Sequence, residues 1–248
     1  MKIYRCVVVT FLFIIMLPIL YTNVSALNTG FEIEKISEME RNDIIENIDI
    51  KPLLKEPTKS AIECFDISDD GKIALGHSDL GFKTVTVYSE NGTYLYGFQF
   101  NNYGSFGIEW DQGNIIIYFV RSDILISVSN KGEIEEIFDV PNTSNNDFYR
   151  RNVINSPERF IGEKQYFLNN DMGILNLFAS NYSQLICKTL DKEIILYNAN
   201  QVQSIKMVII LSFVLICIVL VVCIDTRGRF YCVDKDTRGR FYCVDKTN

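Results

Sequence analysis

The sequence predicts a mainly β domain built from about three antiparallel units, with a signal segment before it and one transmembrane helix after it. Three observations carry this reading. From Ala61 onward apolar residues recur at every second position, and glycine-bearing turns separate the runs. Met207 to Ile224 holds no charged residue in 18 positions, enough at 1.5 Å per residue to cross a hydrocarbon core. Near the N-terminus Lys2 and Arg5 precede an apolar run from Cys6 to Tyr21, which closes on Val24-Ser25-Ala26.

In chain order, residues 1–26 read as a signal peptide cut after Ala26, with an uncleaved anchor helix as the alternative. Residues 27–60 read as a short helix and a linker. Ser37 and Glu40 have capping-box spacing, and Ile44, Ile45 and Ile48 can share one helical face. Pro52 and Pro57 then interrupt regular structure. The all-β region spans 61–205, with strands expected near 61–67, 72–77, 82–89, 93–100, 104–110, 114–120, 124–129 and 133–139. Asp69-Asp70-Gly71, Glu90-Asn91-Gly92, Asp111-Gln112-Gly113 and Asn130-Lys131-Gly132 separate them, each offering a glycine for the positive φ of a tight turn. A third unit, about 148–200, keeps strand-like runs around Asp191-Lys192-Glu193 but has no glycine there.

Gly92 and Gly132 lie 40 residues apart and end similar hairpins. A 40-residue period with four strands per unit is the spacing of a propeller blade. The stretch "FDISDDGKIALG" resembles the strand–turn–strand opening of blades of the TolB or NHL kind, with Asp69 where those carry proline. "VTVYSENGTYLYGF" resembles the outer hairpin of such a blade, so the likeness covers about residues 61–140. The layout of signal, small blade-like domain, single span and basic tail is also similar to single-span surface proteins of Gram-positive bacteria, a likeness that brings no activity with it. Three blades cannot close a ring. The expected architecture is therefore an open propeller-like or sandwich-like ectodomain, or one that pairs with another copy as a homo-oligomer.

Charge predicts orientation. Residues 225–248 carry six basic side chains, whereas Lys206 alone flanks the other end of the span closely. The positive-inside bias then places the tail in the cytoplasm and residues 27–205 outside, anchored at the plasma membrane with the lipid bilayer as first partner. That outer region has 27 acidic and 15 basic side chains, a net of −12. So acidic a surface repels polyphosphate, which excludes nucleic acid as a partner. The tail holds an eleven-residue string, "DTRGRFYCVDK", twice without change. It reads either as a recent copying scar or as a basic, aromatic attachment to anionic headgroups.

Several residues invite a chemical reading. Asp66, Ser68 and Asp70 occupy positions 1, 3 and 5 of a calcium loop with Gly71 at 6, but His77 stands at position 12 where a bidentate Glu belongs. A hairpin turn asks for the same residues. His77, the single histidine, reads as a strand-end residue. Glu109 and Asp111 flank the single tryptophan with the spacing of an acid–base pair, though Asp111 also opens a turn. Tyr94, Tyr96, Phe98 and Phe100 alternate on one strand face and read as core. Tyr103, Phe106 and Trp110, with Arg121, are the candidates for a ligand-binding rim. Arg121 and Asp123 also read as an ion pair at a corner. Cys64 and Cys187 are the two cysteines of the outer region, either a disulfide or two buried thiols. No cofactor is implied. The expectation is a non-enzymatic binding or sensing module for an extracellular protein or glycan. A surface hydrolase using Glu109 and Asp111 and an assembly partner that completes a propeller with another chain stand as alternatives.

Overall fold

The structure, a computed structural model, describes residues 27–79, 81–229, 232–235 and 241–243. The proposed signal, residues 1–26, lies outside them. The chain divides into Met1–Gly30 and Phe31–Asn248, and every described element belongs to the second unit.

Strand β1 (Glu34–Lys35) leads into helix α1 (Glu38–Ile48), which is followed by β2 (Lys51–Pro52). The capping residue acts as the sequence predicts, with Ser37 Oγ accepting the Glu40 N–H at 3.3 Å. The helix ends on Asp49 at φ 47°. Strands β3 (Ile62–Ile67), β4 (Ile73–Asp79), β5 (Phe82–Tyr88) and β6 (Tyr94–Phe100) form a meander, and β2 adds a fifth strand at the β6 edge. Strands β7 (Phe106–Asp111), β8 (Asn114–Phe119), β9 (Ile124–Val128) and β10 (Ile134–Asp139) form a second meander, extended by β1 at the β10 edge. Helix α2 (Ser144–Tyr149) runs into a π turn, Arg150–Ile154. A third meander follows, β11 (Glu158–Ile161), β12 (Lys164–Asn169), β13 (Gln184–Lys188) and β14 (Glu193–Asn198), with a 3-10 segment at Gly173–Phe178 between β12 and β13. Helix α3 (Asn200–Arg229) leaves β14 directly, and β15 (Cys232–Lys235) pairs with β16 (Phe241–Cys243) in the repeated tail.

The domain is thus mainly β, three antiparallel sheets and one long apolar helix. Among the described residues no sheet closes into a barrel. Strand parity explains how the sheets stack. A bulge between Ile62 and Cys64 leaves Cys64 facing one core while Ile62, Phe65 and Ile67 face another. The first core joins the first sheet to the second through Val85, Phe98, Phe106, Ile117 and Ile126. The second joins the first sheet to the third through Phe65, Leu75, Tyr166 and Leu185. The first sheet therefore has both faces buried. Each such side chain contributes about 1.5–3 kcal/mol when fully buried. Tyr94 belongs to the second core while Tyr96, Phe98 and Phe100 belong to the first. The expected single stripe breaks because the register shifts at Tyr88, opposite Tyr94.

The second sheet's outer face is also covered. Phe31 packs on Tyr118 with ring centroids 4.7 Å apart and on Tyr149 at 5.0 Å. A Cβ on Gly107 would lie 2.0 Å from Ile154 Cγ2, so the π turn sits directly on bare backbone. Strands β3 and β7 run side by side in one direction, and Tyr182, just before β13, bridges Ile62 at the start of β3. The turns after β3, β5, β7, β9, β11 and β13 consequently gather at one end of the stack. The β4–β5, β6–β7, β8–β9 and β12–β13 connections and the start of α3 gather at the other.

Candidate functional surface

Strand β3 carries two carboxylates inside an apolar run, and both are used to hold β7. Glu63 Oε1 accepts the Phe106 N–H at 3.1 Å, and Asp66 Oδ2 accepts the Trp110 N–H at 2.8 Å. Trp110 Nε1–H returns a bond to the Asp66 carbonyl at 3.3 Å. Each carboxylate also has a cation. Lys83 Nζ lies 3.0 Å from Glu63, which also accepts the Ser78 hydroxyl. Arg159 Nε lies 2.8 Å from Asp66, with its guanidinium over the Phe65 ring. Asp66 thereby links all three sheets. Burial pushes its carboxyl above the usual range, against the opposing pull of Arg159 and the Trp110 N–H.

This arrangement decides the fate of the calcium candidate. Asp66 is turned inward to Trp110 and Arg159. Ser68 and Asp70 stay in the exposed hairpin, where Ser68 Oγ lies 2.5 Å from Asp70 and Asp70 pairs with Lys72 at 2.5 Å. The three oxygens do not converge, because the strand carries Asp66 toward the stack before the turn begins. Among the described residues no cluster of three or more His, Cys, Asp or Glu has metal-binding geometry.

The aromatic rim separates in the same way. Phe106 is 2% exposed; its ring fills the space left by Gly76, where a Cβ would lie 2.8 Å from it. That corrects its assignment to a surface. Trp110 is half-buried and held by Asp66. Tyr103 is 83% exposed, and Arg121 is exposed beside it, with its Cβ 3.3 Å from the Cβ position of the intervening Gly104. Tyr103 and Arg121 thus form an exposed corner, while Phe106 and Trp110 belong to the stack. Asp123 is engaged by Tyr118, whose hydroxyl donates to it at 2.5 Å. Asp123 and Arg121 are therefore not the expected ion pair. Burial, with the neighbouring Asp123, pushes the Tyr118 hydroxyl up to about 12.

Glu109 and Asp111 lie on the face covered by α2. Glu109 accepts the Tyr149 hydroxyl, and Asp111 is buried at the turn into β8. His77 is buried as well. Its Nδ1 is 3.0 Å from the Ala61 carbonyl, which can only accept, so that nitrogen donates, and Nε2 lies 2.9 Å from Thr86 Oγ1. With Ser60, Thr84, Tyr88 and Tyr197 it lines a small polar cavity. Cys64 and Cys187 are free, buried thiols. The disulfide alternative fails because one faces the first core and the other the second.

Sequence reasoning missed Arg159, Lys83 and Glu63. The available signal was two acidic residues within one apolar strand, which buried carboxylates satisfy only with partners. No protein-family model and no curated protein matches the chain.

Proposed function

We propose that the chain is a non-enzymatic, single-span surface protein whose β domain binds or senses a protein or glycan outside the membrane, with the repeated tail in the cytoplasm. The observation that best supports this is α3. Its stretch Asn200–Val222 is long and apolar enough to cross a membrane, and none of its most apolar window is covered by the domain. Lipid is the solvent that suits such a surface. The basic residues that follow it favour a cytoplasmic tail.

The three meanders suit the blade-like reading, each beginning with a strand toward the middle of the stack and ending at its edge. With three units, the edges are left to small additions such as β1 and β2. The Tyr103–Arg121 corner is the site we assign to ligand contact. It lies at the end of the stack from which α3 departs, so the ligand would be met close to the membrane. Full-length chain in lipid nanodiscs, screened against surface glycans and surface proteins of its own cell, should retain a ligand that Tyr103→Ala releases without a change in melting temperature. Equal retention by Tyr103→Ala would remove the corner from the account. Turnover of a glycan, lost in Glu109→Gln, would replace binding by hydrolysis.

A further inference from the structure

We infer that the 3-10 segment Gly173–Phe178 is a second lipid contact, seated in the outer headgroup layer beside α3. The inference rests on the anchored reading above and adds to it how the domain lies on the bilayer. Ile174, Leu177 and Phe178 are 80%, 83% and 55% exposed, and the chain carries no charge from Met172 through Cys187. The segment packs against α3, the helix whose residues Val208 to Val222 are apolar apart from Ser212 and almost all exposed. Asn200 stands about 10 Å above Met207 at the rise of an α-helix. Gln203, in the first turns of α3, donates to the Tyr182 carbonyl at 3.3 Å, so the β12–β13 connection that holds the segment lies beside the start of the helix, near headgroup depth.

The backbone of the segment is prepared for a medium poor in water. Asn176 Oδ1 accepts the Met172 N–H at 2.9 Å, and Asn176 Nδ2 donates to the Asn170 carbonyl at 3.1 Å. The Leu175 and Ala179 N–H groups bond to Met172 and Asn176 carbonyls. These bonds satisfy part of the segment's backbone, while Ile174, Leu177 and Phe178 present hydrocarbon outward. The end bearing this segment also carries exposed Phe82, Tyr103 and Arg121, side-chain types found at membrane interfaces.

The test uses full-length chain in vesicles of phosphatidylcholine and phosphatidylglycerol, with and without brominated phosphatidylcholine. Leu177→Trp reports the segment, Val214→Trp reports the span, and native Trp110 alone sets the baseline. Both substitutions replace exposed apolar side chains, so the fold is preserved. The inference expects the Leu177→Trp emission to shift blue on reconstitution and to be quenched by brominated lipid several-fold more than Trp110. Quenching of Val214→Trp by brominated lipid, with Leu177→Trp quenched by aqueous acrylamide, overturns the loop contact and leaves the anchor standing. Shielding of Leu177→Trp from both quenchers overturns it in favour of a second copy of the chain. If Val214→Trp escapes brominated lipid, the anchor fails and the inference with it.

Discussion

Asp66 shows how a residue's chemistry is set by its strand and not by its local pattern. Within Asp-x-Ser-x-Asp-Gly it resembles a ligand, yet it points at Trp110 and Arg159 across two sheet boundaries. Its side chain and that of Arg159 are 14% and 13% exposed. Asp66→Ala leaves the buried Arg159 charge without its carboxylate and the Arg159 Nε–H and Trp110 N–H without an acceptor, and should cost about 3–5 kcal/mol. Thermal melts of the full chain in detergent, followed by Trp110 emission, would show it. Asp66→Asn keeps an acceptor for Trp110 and should cost clearly less. Because burial raises the folded carboxyl above its unfolded value, this group's contribution to stability is complete below the unfolded value. It declines as pH rises through the folded one. Denaturant midpoints of Asp66→Asn should lack that part of the acid-side slope. Gly76 carries the same lesson in steric form. A Cβ there would meet Cys64 Sγ at 2.4 Å as well as the Phe106 ring, so Gly76→Ala should destabilise by about 1–3 kcal/mol in the same melts.

At the scale of elements, the eight expected strands appear with boundaries displaced by one or two residues, because alternation and glycine turns are local signals. The turns repeat more closely than the glycines alone suggest. Ser68, Ser89 and Ser129 each stand three residues before a glycine, at φ 83°, 82° and 81°. In all three the glycine N–H bonds to the serine carbonyl at 2.9 Å. The serine hydroxyl accepts the N–H of Lys72, Thr93 or Glu133. Ser-x-x-Gly-x is the unit, and its serine was legible in the sequence. Each Ser→Ala should cost about 0.5–1.5 kcal/mol, and Gly132→Ala about 1–2 kcal/mol for its left-handed backbone; urea titrations of the full chain would rank them. The third sheet was less legible. Its β13–β14 hairpin turns at Thr189–Lys192 without glycine, closed by the Thr189 N–H to the Lys192 carbonyl at 2.9 Å. The β12–β13 connection is long and follows no two-residue period.

For the whole molecule, which sheet lies in the middle was not legible, since it depends on contacts between residues 40 or more apart. The bulge at Glu63, the Glu63–Phe106 hydrogen bond and the Asp66–Arg159 ion pair make the first sheet central. The candidate rim was divided by the same cause, as Phe106 and Trp110 serve the β3–β7 junction and leave Tyr103 and Arg121 outside. The long apolar helix was legible from composition alone, and the structure adds that it follows the third sheet directly and that its most apolar window is not covered by the domain. Under the proposed anchoring, the end of the stack that bears Tyr103 and Arg121 lies nearest the bilayer, and the domain would meet its ligand there.

Sidedness tests this account most directly. Lys131 is exposed in the turn after β9, at the end of the stack opposite α3. Full-length chain carrying Lys131→Cys should react with a membrane-impermeant maleimide on intact cells, whereas Cys232 and Cys243 should react only after permeabilisation. Labelling of the tail cysteines on intact cells with Lys131→Cys protected, or recovery of the full chain in the aqueous fraction, would contradict it.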